Sequence, residues 1–257
     1  MSPQDKSPRQ PILCYVTDRK TLPVSEFADK KVSTANPHDE LRNLLRHIRS
    51  AQAAGIDWIQ LREKDLSGKD YSLLARSALE QNSSSHPRRP SEQAPAVTRI
   101  IINDRVDVAI AEQAGGVHLG ENSLPTKEVR QWLRARGIAT EPGLQFTDRK
   151  FLAGVSCHSL ESALRAEQNG TDYIFFGPIF ATPSKSEYGA PQGLARLEQV
   201  CSSLSSPVLA IGGITSENAA SCIAAGAAGI SAIRLFQQAN DLDAAVGDLR
   251  GMDPALK

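Results

Sequence analysis

Short apolar runs alternate with longer amphipathic segments along almost the whole chain. Eight runs that are apolar at consecutive positions are predicted as strands, and they lie at residues 12–18, 58–62, 99–103, 116–120, 152–156, 173–177, 208–213 and 229–233. Between them, segments such as LRNLLRHIRSAQAA and TKEVRQWLRAR repeat apolar residues at helical spacing, and the last such segment spans residues 241–249. Strands that are apolar on both faces and alternate with helices are typical of a parallel sheet covered by helices.

Eight strand and helix units predict a closed (β/α)8 barrel, the TIM barrel, as a single domain with loop insertions. The length of 257 residues agrees with the ~250 residues typical of this fold. An open doubly wound sheet is the alternative, but no GxGxxG motif follows the first strand, as a dinucleotide-binding sheet would require. We therefore expect the barrel over residues 12–250, between a flexible N-terminal tail of residues 1–11 and a C-terminal tail of residues 251–257.

Three segments rich in Ser, Pro and charged residues are predicted as loop insertions, at residues 19–37, 82–98 and 137–150. In a barrel, the second and third would lie at the end away from the active site. The first follows strand one at the active end, where it would be either a lid or a mobile surface loop.

The charge balance and composition of the chain disfavour several kinds of binding partner and several kinds of site. The chain carries 29 basic and 29 acidic residues, which disfavours a broad electrostatic surface for nucleic acid or for an anionic membrane. No run reaches the roughly 18 apolar residues of a membrane span, and the first residues lack the apolar centre of a secretory signal, so we expect a cytoplasmic protein. Four widely spread cysteines without a CxxC pair favour buried thiols over a zinc site or a disulfide framework.

Polar residues at the end of the second strand are the first candidates for chemistry. Alternation along the strand places Gln60, Arg62 and Lys64 on one side, towards the mouth of the barrel. Two cations at such a place are unfavourable unless an anion joins them. The anion is either a bound ligand or an internal partner, Glu63 or Asp65.

A carboxylate follows the third strand, in the sequence Asn103-Asp104-Arg105. Asp104 is either a structural counter-ion or an oxygen ligand that holds a hard cation such as Mg²⁺ against phosphate oxygens. Both roles require the ionised carboxylate.

The loop after the sixth strand, GPIFATPSK at residues 177–185, has the composition of a phosphate-binding segment. Thr182 and Ser184 supply hydroxyls and Lys185 supplies a cation, and these groups together with main-chain N–H groups suit an anion.

A glycine turn precedes the seventh helix, in the sequence AIGGIT at residues 210–215, and we expect that helix to begin near residue 215. Gly212 and Gly213 would let backbone N–H groups approach an anion, and the loops after strands seven and eight are the usual phosphate site of this fold. The sequence therefore predicts one anion pocket here and a second beside the cations of strand two.

Taken together, these stretches resemble a known family. YVTD, IQLREK, INDR, GVHLG, GVSCHS, FFGPIFATPSK, AIGGI and GAAGISAI follow one another in the order of the thiamine phosphate synthase and TenI-like superfamily, from about residue 12 to 236. The resemblance implies a (β/α)8 barrel enzyme, a transferase that joins hydroxymethylpyrimidine diphosphate to a thiazole phosphate. It also implies a dissociative reaction, in which pyrophosphate leaves first and the thiazole nitrogen captures the methylene cation, so leaving-group stabilisation matters more than a strong base.

The same resemblance implies roles for residues of this chain. Gln60 and His118 would face the pyrimidine. The diphosphate would be held, with Mg²⁺ on Asp104, by Arg62, Lys64, Asn103, Ser156 and Lys185. The thiazole and its phosphate would be seated by Thr182, Ser184, Gly212 and Gly213. The expected partners are therefore small phosphorylated heterocycles, with neither nucleic acid nor membrane, and self-association into a homo-oligomer is left open.

The chain departs from the family pattern at two places. Synthases usually have a glutamine and, two residues later, an aspartate that is the second Mg²⁺ ligand, whereas this chain has Glu121 and Ser123. Because Mg²⁺ often uses one or two carboxylates with substrate phosphates and waters, we expect weaker binding rather than loss, and Glu121 is a candidate replacement. In the final strand, Arg234 stands where the family usually has a serine, and it would clamp a phosphate with two hydrogen bonds.

Two other functions are open. TenI-like members act as thiazole tautomerases on the thiazole phosphate carboxylate, and His158 in SCHS would then be the acid or base. A tautomerase has no diphosphate to hold, so the complete REK, IND and GPIFATPSK set favours the synthase. The third function is a sensor that binds phosphorylated ligands without turnover.

Overall fold

A closed barrel of parallel strands forms the centre of the molecule. The computed structural model describes residues 10–23, 37–84, 97–138, 151–182 and 190–252. Each strand pairs with the next in chain order, and the last pairs with the first. The strands are β1 Ile12–Val16, β2 Trp58–Leu61, β3 Arg99–Asn103, β4 Gly116–Leu119, β5 Leu152–Cys157, β6 Tyr173–Phe176, β7 Val208–Ile211 and β8 Gly229–Ala232. The predicted (β/α)8 barrel is confirmed.

Helices lie between the strands and after the last one. They are α1 Pro37–Ala53, α2 Gly68–Ser84, α3 Val106–Ala111, α4 Thr126–Arg134, α5 Leu160–Gln168, α6 Gly193–Ser203, α7 Ser216–Ala224, α8 Arg234–Gln237 and α9 Leu242–Arg250. Two short elements were not predicted, α8 and a 3₁₀ turn at Arg19–Thr21, because three or four residues are too few to show a helical repeat.

The strands bury both of their faces. Outward side chains such as Ile59 and Leu61 join the core between strands and helices. The barrel interior is filled by Cys14, Val16, Trp58, Ile101, Leu152, Tyr173, Phe175 and Leu209. Gly154 makes room for one of these, since a Cβ atom there would lie 2.1 Å from the ring of Tyr173. This packed interior is the floor on which any ligand at the mouth would rest.

Two ion pairs tie together the end of the barrel where the strands begin. Arg130 of α4 bonds to Asp172, just before β6, at 2.5 Å, and both side chains are buried. Arg250 of α9 bonds to Asp57, just before β2, at 2.7 Å and to the carbonyl of Pro11 at 2.6 Å. This amino end of the barrel is therefore occupied by structural contacts.

The predicted insertions are only partly loops. The expectation of a mobile loop or lid from residue 19 is wrong for its start, because residues 19–21 form the 3₁₀ turn and Arg19 is buried. Residues 82–84 belong to α2, and residue 37 begins α1. The rest of these segments, at residues 24–36, 85–96 and 139–150, lies outside the described residues, as do residues 1–9 and 253–257 of the predicted tails. Within the described part of the chain, no helix combines the length and apolar character needed to cross a membrane.

Candidate active site

Four polar side chains lie side by side at the carboxyl ends of adjacent strands. Gln60 on β2 donates from Nε2 to Oδ1 of Asn103 on β3 at 2.8 Å. Asn103 is the register partner of His118 on β4. The Nε2 atom of His118 lies 2.9 Å from the hydroxyl of Ser156 on β5. We call these four residues the polar row. The resemblance had assigned Gln60 and His118 to one substrate group and Asn103 and Ser156 to another, and the structure places all four side by side.

Side chains behind the polar row hold it in place. The Nδ1 atom of His118 lies 3.2 Å from the hydroxyl of Tyr173, and its ring lies 4.1 Å from that of Phe175. Burial raises the pKa of Tyr173 well above its usual value, so this hydroxyl keeps its proton. From α2, the hydroxyl of Tyr71 donates to the last carbonyl of β2 and accepts the backbone N–H of Asn103 at 3.1 Å. The row is therefore fixed both from inside the barrel and from outside.

Arg62 and Lys64 follow the polar row directly at the end of β2. The internal pairing considered from the sequence does not form, because Glu63 and Asp65 bind Arg19 instead. Among the described residues, no carboxylate lies within ion-pair distance of Arg62 or Lys64. The partly buried Arg62 and the exposed Lys64 therefore add local positive charge just after β2 in a chain of zero formal net charge.

Asp104 follows β3 in a left-handed backbone conformation, with a φ of 61°. Its Oδ1 atom accepts the hydroxyl of Ser123 at 2.6 Å and lies 3.4 Å from the N–H of Gly120. In the described part of the chain, no three His, Cys, Asp or Glu side chains cluster closely enough to hold a metal by themselves. The oxygen donors of Asp104 and Ser123 nevertheless fit Mg²⁺, which accepts one carboxylate when substrate phosphates and waters complete its shell.

His158 and Glu121 approach each other at the same end of the barrel. The Nδ1 atom of His158 contacts the carbonyl of Gly177, which can only accept, so Nδ1 carries the hydrogen. The Nε2 atom then lies 3.9 Å from a carboxylate oxygen of Glu121. Glu121 therefore lies opposite the second ring nitrogen of an imidazole whose first ring nitrogen is already hydrogen-bonded.

The glycine turn after β7 is bonded to the loop after β6. The N–H groups of Ile179 and Phe180 donate to the carbonyls of Ile211 and Gly212 at 2.9 and 3.0 Å. Gly212 has a φ of 96°, and a Cβ atom there would lie 2.6 Å from Cα of Pro178. The two predicted phosphate loops are thus one joined surface.

A cavity of about 630 Å³ opens beside this turn. Its walls include Thr182, Gly212, Gly213, Thr215 and Arg234. The structure corrects the place of the last of these, because β8 ends at residue 232 and Arg234 is the exposed first residue of α8. Ser184 and Lys185, in the loop after β6, were also predicted as site residues, but both lie outside the described residues.

Several supporting residues were missed from the sequence. Asn218 of α7 donates from Nδ2 to the carbonyl of Gly213 and accepts the N–H of Thr215, both at 2.9 Å, so it clasps the glycine turn. A polar residue three positions after a helix-capping threonine is a known local signal that could have pointed to it. Tyr71 and Tyr173 gave no such signal, because their contacts depend on packing between distant segments.

The comparisons with known proteins agree with this arrangement. A family model described as thiamine monophosphate synthase matches residues 32–141 and 143–236. The chain belongs to this family. A thiamine-phosphate synthase from Methanoculleus marisnigri is 39% identical over 229 residues, which cover 89% of this chain and 94% of the relative. One from Chlorobium luteolum is 36% identical over 243 residues and covers 95% and 93% of the two chains.

A solved structure of the thiamine phosphate pyrophosphorylase from Pyrococcus furiosus is similar to the barrel with a TM-score of 0.69 and 26% identity, and the match covers 94% of both chains. A 3-hexulose-6-phosphate synthase structure, with a TM-score of 0.56 and 15% identity, shares the fold alone. The prediction of an enzyme of the thiamine monophosphate synthase family is confirmed.

Proposed function

We propose that this chain is a thiamine-phosphate synthase, which joins hydroxymethylpyrimidine diphosphate to a thiazole phosphate and releases pyrophosphate. The observation that carries the proposal is the match along most of the chain to relatives of that name, at 36–39% identity. The arrangement at the carboxyl end of the barrel supports it, because a row of polar side chains, two cations and a glycine turn share that end.

The polar row and the cations beside it suit the first substrate. The amides of Gln60 and Asn103 and the imidazole of His118 present donors and acceptors for a ring with nitrogen atoms, over an apolar floor. Arg62 and Lys64 follow Gln60 in the sequence and would balance the negative charge of the diphosphate. Lys185 and the hydroxyl of Ser156 are proposed to bind the same diphosphate. Such groups stabilise the leaving pyrophosphate more strongly than they stabilise the bound substrate, because its negative charge increases as the bond breaks.

Mg²⁺ would be held by Asp104, with the Ser123 hydroxyl against the same carboxylate. When bound, the ion would neutralise part of the diphosphate charge. The protein's own share is to fix the position of the carboxylate, through the hydroxyl of Ser123 and the N–H of Gly120.

The glycine turn suits the second substrate. Gly212, Gly213 and the first residues of α7 border the cavity, where N–H groups at a helix start favour an anion. Thr182, Ser184 and Arg234 are the proposed side-chain groups around the thiazole phosphate. The turn would hold the thiazole by its phosphate while the ring nitrogen faces the pyrimidine.

The chemical step balances without a base. The bond between the pyrimidine methylene carbon and the diphosphate oxygen breaks, and its electron pair leaves with pyrophosphate. The thiazole nitrogen then donates its lone pair to the methylene carbon, and no proton moves. The protein's role is therefore to hold two anionic groups so that both reacting atoms are in line.

Pyrophosphate release from the two phosphorylated heterocycles in the presence of Mg²⁺ tests the proposal. We expect turnover by the unmodified chain and a loss of roughly 10²- to 10³-fold for Arg62→Ala, the scale of one preorganised charge-stabilising group. Arg49→Ala, an exposed arginine on α1, is the matched control and should retain the wild-type rate. A wild-type chain that releases no pyrophosphate contradicts the proposal.

The contact between His158 and Glu121 favours a second candidate, a thiazole tautomerase. An imidazole with Nδ1 fixed and Nε2 facing a carboxylate is suited to moving a proton. In that case the chain would isomerise the thiazole phosphate carboxylate without any pyrimidine, and His158→Gln would abolish the isomerisation. Binding of both heterocycles without either reaction would instead support the sensor.

A further inference from the structure

Arg19, in the 3₁₀ turn that follows β1, binds the two carboxylates that flank Lys64 just after β2. Its side chain is 7% exposed and contacts carboxylates from two other parts of the fold. NH1 bonds to Glu63 at 2.9 Å, and NH1 and NH2 bond to the two oxygens of Asp65 at 2.6 and 2.8 Å. Nε bonds to Glu40 of α1 at 3.1 Å. The guanidinium group is thus engaged on every nitrogen.

Thr17 extends this network to Arg62. Its hydroxyl donates to Glu63 at 2.7 Å and accepts the backbone N–H of Arg62 at 2.9 Å. Glu63 also accepts the backbone N–H of Arg19 at 3.2 Å. The path from Arg19 to the backbone of the first cation is therefore a continuous set of hydrogen bonds.

The network binds acidic residues that lie next to the two cations in the sequence. Glu63 and Asp65 flank Lys64 and are the carboxylates nearest in sequence to both cations. The hydrogen bonds from Arg19, and then from Lys20, hold the pKa of Asp65 well below its usual range, so it is ionised at neutral pH. If Arg19 were absent, Asp65 would keep only Lys20 as an ion-pair partner among the described residues. This exposed carboxylate would then be available to Arg62 and Lys64 and would compete with any anionic ligand.

We propose that Arg19 is a positioning residue for the diphosphate pocket. By binding Asp65 it keeps Arg62 and Lys64 available for the anion, and by binding Glu63 it fixes, through Thr17, the backbone N–H of Arg62. The proposal rests on the proposed function for the identity of that anion. Lysine cannot take this role, because one ammonium group cannot match the two-pronged bond to Asp65 while also reaching Glu63 and Glu40.

A buried ion pair at the other end of the barrel provides the control. Arg130 and Asp172 have side chains that are 5% and 0% exposed and lie near the start of the strands. Loss of either arginine removes a buried pair and lowers stability. Only the loss of Arg19 should change the binding of pyrophosphate.

The experiment compares Arg19→Met, Arg19→Lys and Arg130→Met by calorimetric titration with pyrophosphate and Mg²⁺, and by initial rates with each substrate varied. For both Arg19 variants we expect the pyrophosphate Kd and the KM of the diphosphate substrate to rise together, by about 10- to 100-fold. The KM of the thiazole phosphate should change about twofold or less. Arg130→Met should lower the unfolding temperature and leave all three constants at the wild-type values.

Rescue separates competition between charges from a general loss of structure. In the double variant Arg19→Met/Asp65→Asn, the exposed competing carboxylate is removed, so the pyrophosphate Kd should return most of the way to wild type. A merely structural role for Arg19 gives no such recovery. An Arg19→Met protein with wild-type pyrophosphate affinity, or a double variant as weak as the single one, would overturn the inference.

Thr17→Val provides a second test of the role of Arg19. If Arg19→Met does not fold, Thr17→Val removes the hydroxyl that bonds to both Glu63 and Arg62, and it should weaken pyrophosphate binding in the same direction. Wild-type affinity in Thr17→Val would then count against the inference. A wild-type chain that binds pyrophosphate but does not release it from substrate contradicts the proposed function alone, and the binding comparison still decides the role of Arg19.

Discussion

Ser123 places a neutral hydroxyl, rather than a second carboxylate, against Asp104. Its hydroxyl occupies one oxygen of Asp104 at 2.6 Å, at the position where the resemblance leads one to expect a second carboxylate. A hydroxyl carries no charge, so the site attracts a divalent cation less strongly than a pair of carboxylates would. We therefore expect Mg²⁺ to bind this chain chiefly together with pyrophosphate.

Ser123→Asp tests this expectation. The added carboxylate should lower the Kd of Mg²⁺ by about 10-fold in the absence of pyrophosphate, and calorimetric titration with Mg²⁺ alone measures it. Asn122→Asp, which adds the same charge at the exposed neighbouring position, is the control and should leave the Kd unchanged. Equal effects from both variants would mean that general charge, rather than the place of Ser123, determines the affinity.

The cysteines show how burial controls reactivity at single residues. Burial raises the pKa of Cys14, Cys157 and Cys222 to about 12 and that of Cys201 to about 11. These thiols keep their protons at neutral pH, and a protonated thiol is a poor nucleophile. The expectation of buried thiols fits the three buried residues, while Cys201 on α6 is only partly buried.

At the scale of elements, the joined loops after β6 and β7 make the glycine turn rigid. Gly212→Ala should cost about 3 kcal/mol or more, because it combines an unfavourable φ with a clash against Pro178. Gly137→Ala is the matched control: its φ is 71°, but a Cβ atom there meets no atom within 4 Å, so it should cost only about 1 kcal/mol. Denaturant unfolding measures both values. Equal losses would show that backbone conformation alone, rather than contact with Pro178, makes glycine necessary.

The sequence predicted the regular elements well and the supporting contacts poorly. Each predicted strand overlaps an observed one, because fully buried parallel strands leave continuous apolar runs. Strand-end reasoning pointed to Gln60 and Asn103, since residues at strand ends in a barrel meet at one end, whereas His118 and Ser156 were named only from the family resemblance. Arg19 was assigned to a loop, because its partners are distant in sequence and nothing local distinguishes a buried arginine from a solvated one.

For the molecule as a whole, several carboxylates are stabilised in their charged form. The hydrogen bonds from Arg105 hold the pKa of Asp107 below its usual value, and those from Arg76 and then Ser72 do the same for Glu112. A carboxylate whose pKa is lower in the folded than in the unfolded state stabilises the fold above the unfolded pKa. That contribution is lost as the pH falls through the folded value.

The unfolding temperature should therefore decrease as the pH is lowered from 7 to 3, with most of the loss below the ordinary carboxylate pKa of about 4. Glu112→Gln should make this decrease smaller, since it removes one of the titrating groups. Glu161→Gln, at a side chain that is 86% exposed, should follow the wild-type curve. Thermal unfolding at a series of pH values measures all three proteins, and identical slopes for wild type and Glu112→Gln would contradict the argument.

The pairing of β8 with β1 affects how the barrel closes while the polypeptide is being translated. A ribosome delivers residues 12–16 long before residues 229–232, so the edge of the first strand lacks this neighbour until β8 has been made. Arg250, which anchors Pro11 and Asp57, emerges later still. An open strand edge is a template for pairing with other polypeptides, so we expect incomplete chains of this enzyme to associate more readily than the closed ring.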